Sequence, residues 1–345
     1  RNMSNIHFEE IIHSFFEEEI LLHPTPFGSG HINDTFKFSI QKNQEQQDFI
    51  LQRINQNIFH NPQEVMDNIQ KVALHLAKNN YPKKILSPVL THENQSFHKT
   101  ETGEYWRVFP FFKNTFTIDK IDNETQAFEA AKAFGEYLNF LKGLPPSALR
   151  TTIPNFHNGV LRLKKFENTL KTATETKINL GLVEIQFIIQ HANIFEKIES
   201  LKLPIRITHN DTKINNILLD KTTQKAVAVI DLDTLMPGII LSDFGDMVRT
   251  FTNSGEEDEA DLSKVEMRKD IYLALEAGFL SEMKDLTKLE RDHLSDGAKW
   301  ITLMQAVRFL TDFLEGDPYY KIKYPNHNLV RAKNQIALYK GLLLA

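Results

Sequence analysis

Two neighbouring stretches of the sequence determine its interpretation: ITHNDTKINNILLD at residues 207–220 and VIDLDT at residues 229–234. In each, a run of apolar and β-branched residues indicates a buried strand, and aspartate or asparagine adjoins that run. These polar residues are common in turns, so simple turns between strands are one interpretation. Carboxylate and amide oxygens are also the ligands that Mg2+ prefers, so a metal site is the other.

The spacing of these polar residues resembles the catalytic segment of the aminoglycoside phosphotransferase and choline kinase family. In that family, His-x-Asp-x4-Asn is followed by a strand that ends in a metal-binding aspartate. Here His209, Asp211 and Asn216 fit the segment, and Asp231 follows Asn216 by 15 residues. The resemblance implies a protein-kinase-like, two-lobed α+β fold. A small lobe would hold an antiparallel sheet with a helix, and a large lobe would be mostly helical.

The resemblance also implies a role for each residue of the motif. Phosphoryl transfer needs alignment and charge neutralisation more than covalent chemistry from the protein. Asp211 is expected to accept the proton of the attacking hydroxyl, and Lys213 to contact the γ-phosphate of ATP. Asn216 and Asp231 are expected to bind Mg2+. His209 is expected to act as an internal hydrogen-bonding brace.

A second triplet, Asp243-Phe244-Gly245, looks like the metal-binding triplet of protein kinases. It lies too far from Asn216 for that role, and Asp231 already fills the position after the strand. Metal binding by Asp243 is the alternative, but we expect this residue to cap a helix and to brace the catalytic segment.

Candidates for nucleotide binding lie upstream. Gly28, Ser29 and Gly30 resemble the glycine-containing loop that covers the phosphates of ATP, since glycine lets backbone amides approach phosphate oxygens closely. A plain glycine-rich turn is the alternative. Arg53 stands where protein kinases carry a lysine and resembles the arginine of choline kinases. Arginine can bind phosphate through two hydrogen bonds, and Glu64 or Asp67 could orient it. A solvent-facing strand arginine is the alternative.

The segment WRVFPFF at residues 106–112 is expected to bind adenine through backbone groups, with apolar side chains on the ring faces. Pro110 has no N–H, so Phe109 or Phe111 would supply the donor. An apolar core strand explains the aromatic residues equally well.

The acceptor is suggested by a closer similarity. Residues 209–216, 230–238, 243–249 and 308–320 resemble the N-acetylhexosamine 1-kinases, which implies transfer to the anomeric hydroxyl of N-acetylglucosamine or N-acetylgalactosamine. The candidate sugar-binding residues are Asp233, Arg249, Arg308, Asp312 and Tyr319. Arg308 and Asp312 are one helical turn apart and share a face, so a surface ion pair beside core tyrosines is the alternative.

Other functions remain open at this stage. The acceptor could be another small alcohol, such as choline, ethanolamine, homoserine or an aminoglycoside. Choline calls for an aromatic cage with acidic neighbours, which the sequence does not reveal. A nucleotide-binding regulator without activity would be expected to have lost its base or a metal ligand, whereas this chain keeps Asp211, Lys213, Asn216 and Asp231.

Periodicity predicts the order of the elements. A helix at 6–22 is followed by a hairpin with strands at 36–40 and 49–54, a helix at 64–78 introduced by Asn61-Pro62, and strands at 84–90, 97–99 and 105–112. The remainder is mainly helical, at 126–141, 160–172, 182–202, 258–277, 285–314 and 329–344, with short strands within 206–219 and 226–231. We expect a nucleotide-binding lobe at 1–115 and a catalytic and substrate-binding lobe at 116–345.

Composition limits the alternatives. A chain of 345 residues is long enough for two cores, and 41% hydrophobic with 25% charged residues is ordinary for a globular protein. A net charge of -5 disfavours a nucleic-acid partner. The lack of cysteine excludes disulfides and thiolate zinc sites. Without a signal-like or membrane-length apolar run, we expect a cytoplasmic protein. The family resemblance implies an enzyme that binds ATP, Mg2+ and a small sugar. The sequence predicts no oligomeric state.

Overall fold

The computed structural model describes residues 3–28, 30 and 32–345. The chain divides into two compact units. The first comprises residues 1–116, 140–154 and 219–236, and the second comprises residues 117–139, 155–218 and 237–345. The first unit thus takes in two segments that follow the predicted lobe boundary at 115/116. As a functional division, that boundary stays a prediction.

The first unit contains a five-stranded antiparallel sheet. Its strands follow the order β1 (Ile20–Pro26), β2 (Asp34–Lys42), β3 (Glu45–Arg53), β5 (Tyr105–Pro110) and β4 (His98–Lys99). The predicted hairpin is confirmed as β2 and β3, which pair from Asp34↔Arg53 to Lys42↔Glu45. Its two-residue turn places Asn43 and Gln44 at positive φ, 52° and 62°, as the favoured hairpin turn requires.

The prediction of a long N-terminal helix at 6–22 is wrong. Helix α1 (Phe8–His13) is short, and the later part of this segment forms β1. Strand β1 lies at the edge of the sheet, where Pro24 can be accommodated although it has no N–H to donate. The strand predicted at 84–90 is also absent, since these described residues make only isolated backbone bonds, from Lys84 to Val227 and from Val89 to Val108.

The two faces of the sheet differ in character because successive strand residues point to opposite sides. On one face, Phe36, Phe38, Leu51 and Trp106 pack with α1 in a buried apolar cluster. Arg53 lies opposite Trp106 and therefore shares this face, whereas Gln52, opposite Arg107, belongs to the other face.

Helix α2 (Pro62–Lys78) follows the sheet hairpin and confirms the predicted start at Asn61-Pro62. The Asn61 side chain accepts the N–H of Glu64, which is the expected N-cap contact. The predicted apolar face, formed by Val65, Ile69, Val72 and Leu76, is buried. A second, three-stranded sheet follows the order β6 (Thr115–Phe116), β8 (Ile217–Asp220) and β9 (Ala226–Val229).

The second unit is built mainly from helices. They are α3 (Glu124–Phe140), α4 (Gly159–Leu170), α5 (Glu175–Leu180), α6 (Leu182–His191), α7 (Asn193–Ser200), α8 (Ile240–Phe251), α9 (Lys269–Glu282), α10 (Lys288–Asp292), α11 (Leu294–Glu315) and α12 (His327–Leu343). Strand β7 (Arg206–Thr208) pairs with β10 (Met236–Gly238).

The helical predictions are confirmed in outline and wrong in detail. Residues 182–202 form two helices rather than one, and the helix predicted at 258–277 begins only at Lys269. Helices α5 and α8 were not predicted. No helix in the described part of the chain has both the length and the apolar surface needed to cross a membrane.

Helix α11 is buried on most sides and packs against α4, α7, α8 and α12. Its closest approach to α8 uses glycine on both helices. A Cβ added to Gly245 would lie 2.5 Å from the carbonyl oxygen of Gly297, and one added to Gly297 would lie 2.8 Å from the Leu241 Cβ. The glycine of the Asp243-Phe244-Gly245 triplet therefore permits a close helix crossing.

We expect Gly245→Ala to reduce the free energy of unfolding by about 1–3 kcal/mol, because the added methyl group overpacks this crossing. Urea unfolding followed by circular dichroism would measure the change. Gly30→Ala is the matched control, since its Cβ would meet nothing within 4 Å. Equal stability of the two variants would contradict the close approach of α8 and α11.

Candidate active site

The predicted catalytic segment follows β7 and is held in place by α8. The buried Asp243 carboxylate accepts the N–H groups of His209 and Asn210, at 2.8 and 2.7 Å. Burial raises the pKa of Asp243 to about 7, against the two N–H donors, which lower it. Thr212 adds a hydrogen bond to the Asp243 carbonyl at 2.7 Å. The predicted bracing role of Asp243 is thus confirmed.

The backbone of Asp211 is hydrogen-bonded at both its N–H and its carbonyl oxygen. Its N–H donates to Nδ1 of His209 at 3.1 Å, and its carbonyl oxygen accepts the Asn216 amide at 2.8 Å. The Asp211 carboxylate is 20% exposed and lies 3.8 Å from Nζ of Lys213. This negative charge raises the pKa of Lys213. The segment therefore presents an accessible carboxylate next to a lysine that stays protonated.

Asn216 has the chemistry of a Mg2+ ligand. Its NH2 group is used by the Asp211 carbonyl, which leaves the side-chain oxygen as the atom suited to a metal. No group of three or more histidine or acidic side chains in the described ranges is arranged to hold a metal. Mg2+ usually takes one or two protein ligands and completes its shell with phosphate and water.

The other predicted metal ligand, Asp231, follows β9 in the first unit. Its backbone is left-handed, with φ 59°, a conformation that aspartate tolerates better than most residues. Its carboxylate is the hard oxygen donor that Mg2+ prefers. Metal binding by Asn216 and Asp231 stays a prediction.

The glycine-containing loop joins β1 to β2. Gly28 has φ 80°, and both Gly28 and Gly30 are exposed, so the backbone is open to a ligand. Ser29 lies outside the described residues. These three residues stay predicted phosphate contacts.

Part of the predicted adenine-binding segment already has partners within the protein. The Phe111 N–H already donates to the Asp48 carbonyl oxygen at 3.1 Å, so an adenine contact through it would have to replace that bond. Phe109 is buried beneath Arg107, whose guanidinium lies 5.0 Å from its ring centre. Adenine binding by either residue stays a prediction.

Arg53 has different partners from those expected. It pairs with Asp34 at 2.8 Å and with Glu104 at 3.2 Å, not with Glu64 or Asp67. The reason is strand register, because Asp34 stands directly opposite Arg53 on β2. Its guanidinium also lies 5.3 Å from the Trp106 ring centre, on the face that packs against α1.

Asp233, predicted to bind sugar, is instead buried in an ion pair with Arg107. Both terminal nitrogens of Arg107 bond to its carboxylate, and Asn33 donates to it at 2.8 Å. Because these contacts engage both carboxylate oxygens and Asp233 is 2% exposed, the assignment to sugar is corrected. Arg107 was missed, although a lone arginine in an apolar strand signals a buried partner.

Arg249, a second candidate for sugar binding, is also internally paired. It bonds to Asp246 at 2.9 Å, to Glu257, and to the Gln335 amide oxygen at 3.1 Å. Arg249 is buried, so these contacts stabilise the packing of α8 against its neighbours. They do not present the guanidinium to a ligand.

Asp312 organises the chain after α11 rather than pairing with Arg308. Its carboxylate accepts the N–H groups of Tyr319 and Tyr320 and the Asn328 amide, at 2.9, 3.0 and 2.8 Å. These contacts explain why the i,i+4 ion pair with Arg308, which was the alternative to sugar binding, does not form. Asp312 therefore acts on the candidate sugar site indirectly, by fixing the two tyrosines.

Arg308 lies in an aromatic cluster. Its guanidinium is 5.3, 6.0 and 5.7 Å from the ring centres of Phe156, Tyr319 and Tyr320. The Arg308 side chain donates to the Gln305 amide oxygen at 3.2 Å, and among the described residues no carboxylate forms an ion pair with it. Arg308 and the half-exposed Tyr319 are thus available to a polar ligand.

The sequence did not reveal two further residues at this cluster. Arg162 donates to the Phe156 carbonyl oxygen at 2.9 Å. The ring of His157 stacks on that of Phe156 at 4.4 Å. Burial, followed by the charges of Arg308 and Arg162, lowers the pKa of His157 to about 3, while its hydrogen bond with the Asn210 side chain opposes this shift. Because Asn210 precedes Asp211, His157 links the aromatic cluster to the catalytic segment.

Comparison with solved structures supports the architecture. An aminoglycoside phosphotransferase from Alicyclobacillus acidocaldarius subsp. acidocaldarius is 11% identical, with a TM-score of 0.64 over 100% of this chain and 97% of that one. A choline kinase from Cryptosporidium parvum is 13% identical, with a TM-score of 0.57 over 93% and 90%. A spectinomycin phosphotransferase in complex with ADP and spectinomycin is 12% identical, with a TM-score of 0.59 over 94% and 93%.

At these identities the likeness concerns the fold alone, and it confirms the predicted protein-kinase-like α+β fold. A sequence model described as the phosphotransferase enzyme family matches residues 23–266, more than two thirds of the chain. The match confirms the predicted class of enzyme, an ATP-dependent phosphotransferase with an alcohol acceptor. The chain therefore belongs to the APH family of phosphotransferase enzymes.

Proposed function

We propose that the protein transfers the γ-phosphate of ATP to the anomeric hydroxyl of an N-acetylhexosamine, either N-acetylglucosamine or N-acetylgalactosamine. The observation that carries the proposal is the aromatic cluster around Arg308, which His157 and Asn210 connect to Asp211. Aromatic faces suit a sugar ring, and a donor such as Arg308, which has no carboxylate partner among the described residues, suits the hydroxyl or amide groups of the sugar.

In the proposed reaction, Asp211 accepts the proton of the acceptor hydroxyl as its oxygen attacks the γ-phosphorus. The bond from that phosphorus to the bridging oxygen breaks, and ADP leaves. Lys213, held protonated beside Asp211, offsets the charge of the transferred group. Asn216 and Asp231 would hold Mg2+, which would supply neutralisation of the charge on the phosphate oxygens.

The charge of the acceptor region argues against a cationic substrate. Arg308 and Arg162 both contact Phe156. Burial, and to a smaller extent the charge of Arg308, lowers the pKa of Arg162 to about 10. Two arginines this close repel a further positive charge. Choline, ethanolamine and aminoglycosides therefore fit this region less well than a neutral amino sugar does.

We expect Asp211→Asn to lower kcat by about 10^2- to 10^4-fold, the range for loss of a positioned general base, with little change in the dissociation constant of ATP. Steady-state kinetics and calorimetric titration would measure the two quantities. Asp292→Asn, an exposed aspartate paired with Lys288, is the control. Near-normal turnover of Asp211→Asn would overturn the assignment of Asp211 as the base.

We expect N-acetylglucosamine or N-acetylgalactosamine to be the preferred acceptor, with a sugar 1-phosphate as the product. The test incubates the protein with ATP and Mg2+ against both sugars, glucose, choline and homoserine, and assigns the phosphate position by NMR. A 6-phosphate product would refute the anomeric claim but not the kinase claim. Faster turnover of choline would refute the sugar claim. Nucleotide binding without transfer to any acceptor would support an inactive regulator.

We expect Arg308→Ala to raise the sugar KM about tenfold to a hundredfold, as for loss of a hydrogen bond from a charged donor, with the ATP KM nearly unchanged. Arg291→Ala is the control, because Arg291 is exposed and donates to the Lys284 carbonyl oxygen. A normal sugar KM in Arg308→Ala would leave Arg308 as a packing residue for the two tyrosines.

A further inference from the structure

Arg107 is the most extensively bound arginine of the first unit. Besides the two bonds to Asp233, its Nε donates to the Gln52 amide oxygen at 2.9 Å, and one terminal nitrogen lies 3.6 Å from the Met66 sulfur. The side chain is 3% exposed. A guanidinium this deeply buried requires the negative charge of Asp233, and Asp233 equally requires Arg107.

The pair is connected to the glycine-containing loop. Asn33, near the end of that loop, donates from its amide to Asp233 at 2.8 Å and accepts the Asn55 N–H at 2.9 Å. Asn55 in turn donates to the Ile32 carbonyl oxygen at 3.0 Å. The carboxylate of Asp233 therefore holds Asn33, and through Asn55 also Ile32, directly before the start of β2.

The same carboxylate holds the segment that carries Asp231. Asp233 is two residues after Asp231, whose left-handed backbone needs support from its surroundings. Thr152 donates to the Asp233 carbonyl oxygen at 3.0 Å, and Asn68 donates to the Leu235 carbonyl oxygen at 3.1 Å. Both the side chain and the backbone of Asp233 thus hold this turn in place.

We propose that Arg107 is a positioning residue for nucleotide and metal binding: through Asp233 it fixes Ile32 and Asn33, directly before β2, together with the Asp231 turn. This inference rests on the proposed use of ATP. It differs from the prediction for Arg53, which pairs with Asp34 and Glu104 on the opposite face of the sheet. Gln52 and Arg107 stand directly opposite each other on β3 and β5. The hydrogen bonds of Arg107 therefore lie on one face of the sheet, and Arg53 lies on the other.

The test compares Arg107→Gln, Asp233→Asn and the charge-neutral double variant with the unaltered protein. Calorimetric titration with ADP and Mg2+ gives the dissociation constant, and kinetics give KM for ATP and for the acceptor. We expect Arg107→Gln to weaken ADP binding and to raise the ATP KM about tenfold to a hundredfold, as a misplaced site does. The acceptor KM should stay nearly constant.

The double variant separates positioning from folding. Removing both charges relieves the isolated buried carboxylate that Arg107→Gln alone would leave, so the double variant should recover the unfolding midpoint while keeping weak ADP binding. If Arg107→Gln does not fold, ADP binding is measured on the double variant instead. Recovery of ADP binding together with stability would overturn the inference.

Arg206→Gln is the matched control, because Arg206 forms a bidentate pair with the buried Glu290 at 2.7 and 2.8 Å. It should lower stability with ADP binding retained. Weakened ADP binding in Arg53→Gln but not in Arg107→Gln would assign the role to Arg53 instead. If the unaltered protein binds no ADP, both the proposed function and this inference are refuted. Normal ADP binding in a folded Arg107→Gln refutes this inference alone.

Discussion

The hydrogen bonds from the catalytic segment to Asp243 are the constraint on which the active site depends. A buried carboxylate that accepts two adjacent backbone N–H groups fixes both the position and the direction of the chain that enters Asp211. The carboxylate in turn takes its position from α8, which can approach α11 only because Gly245 and Gly297 lack side chains. Helix packing thus reaches the proposed catalytic base through two consecutive contacts, that of α11 with α8 and that of Asp243 with the catalytic segment.

Some buried or partly buried arginines of the protein have a carboxylate partner that balances their charge, whereas Arg308 has none in the described part of the chain. Arg107 and Arg249 are buried with carboxylate partners and make the fold specific. Arg308 sits among aromatic rings, and among the residues described here none supplies it with a carboxylate. Because compensated charges have little left to offer a ligand, the site that selects the acceptor is better sought around Arg308 than around the other two.

The sequence predicted the bracing contact of His209 with Asp211, because these residues are close together and their spacing is specific. It could not predict which arginine faces which side of the sheet, since that follows from strand register, and Arg107 and Asp233 are 126 positions apart. For the same reason Asp233 looked like a ligand for a sugar until its partner was visible. Strand β1 was mistaken for helix because periodicity over a few residues does not separate a helix end from an edge strand.

Strand β1 has a consequence for the behaviour of the protein in crowded solution. An edge strand with free backbone groups invites the addition of strands from other molecules, and Leu21 and Leu22 on β1 are exposed. Pro24 and Pro26 interrupt its row of N–H donors, and the pairing of β1 with β2 is irregular between Ile20 and Thr25. The bent, donor-poor edge is therefore a poor template, and it protects the sheet from intermolecular growth.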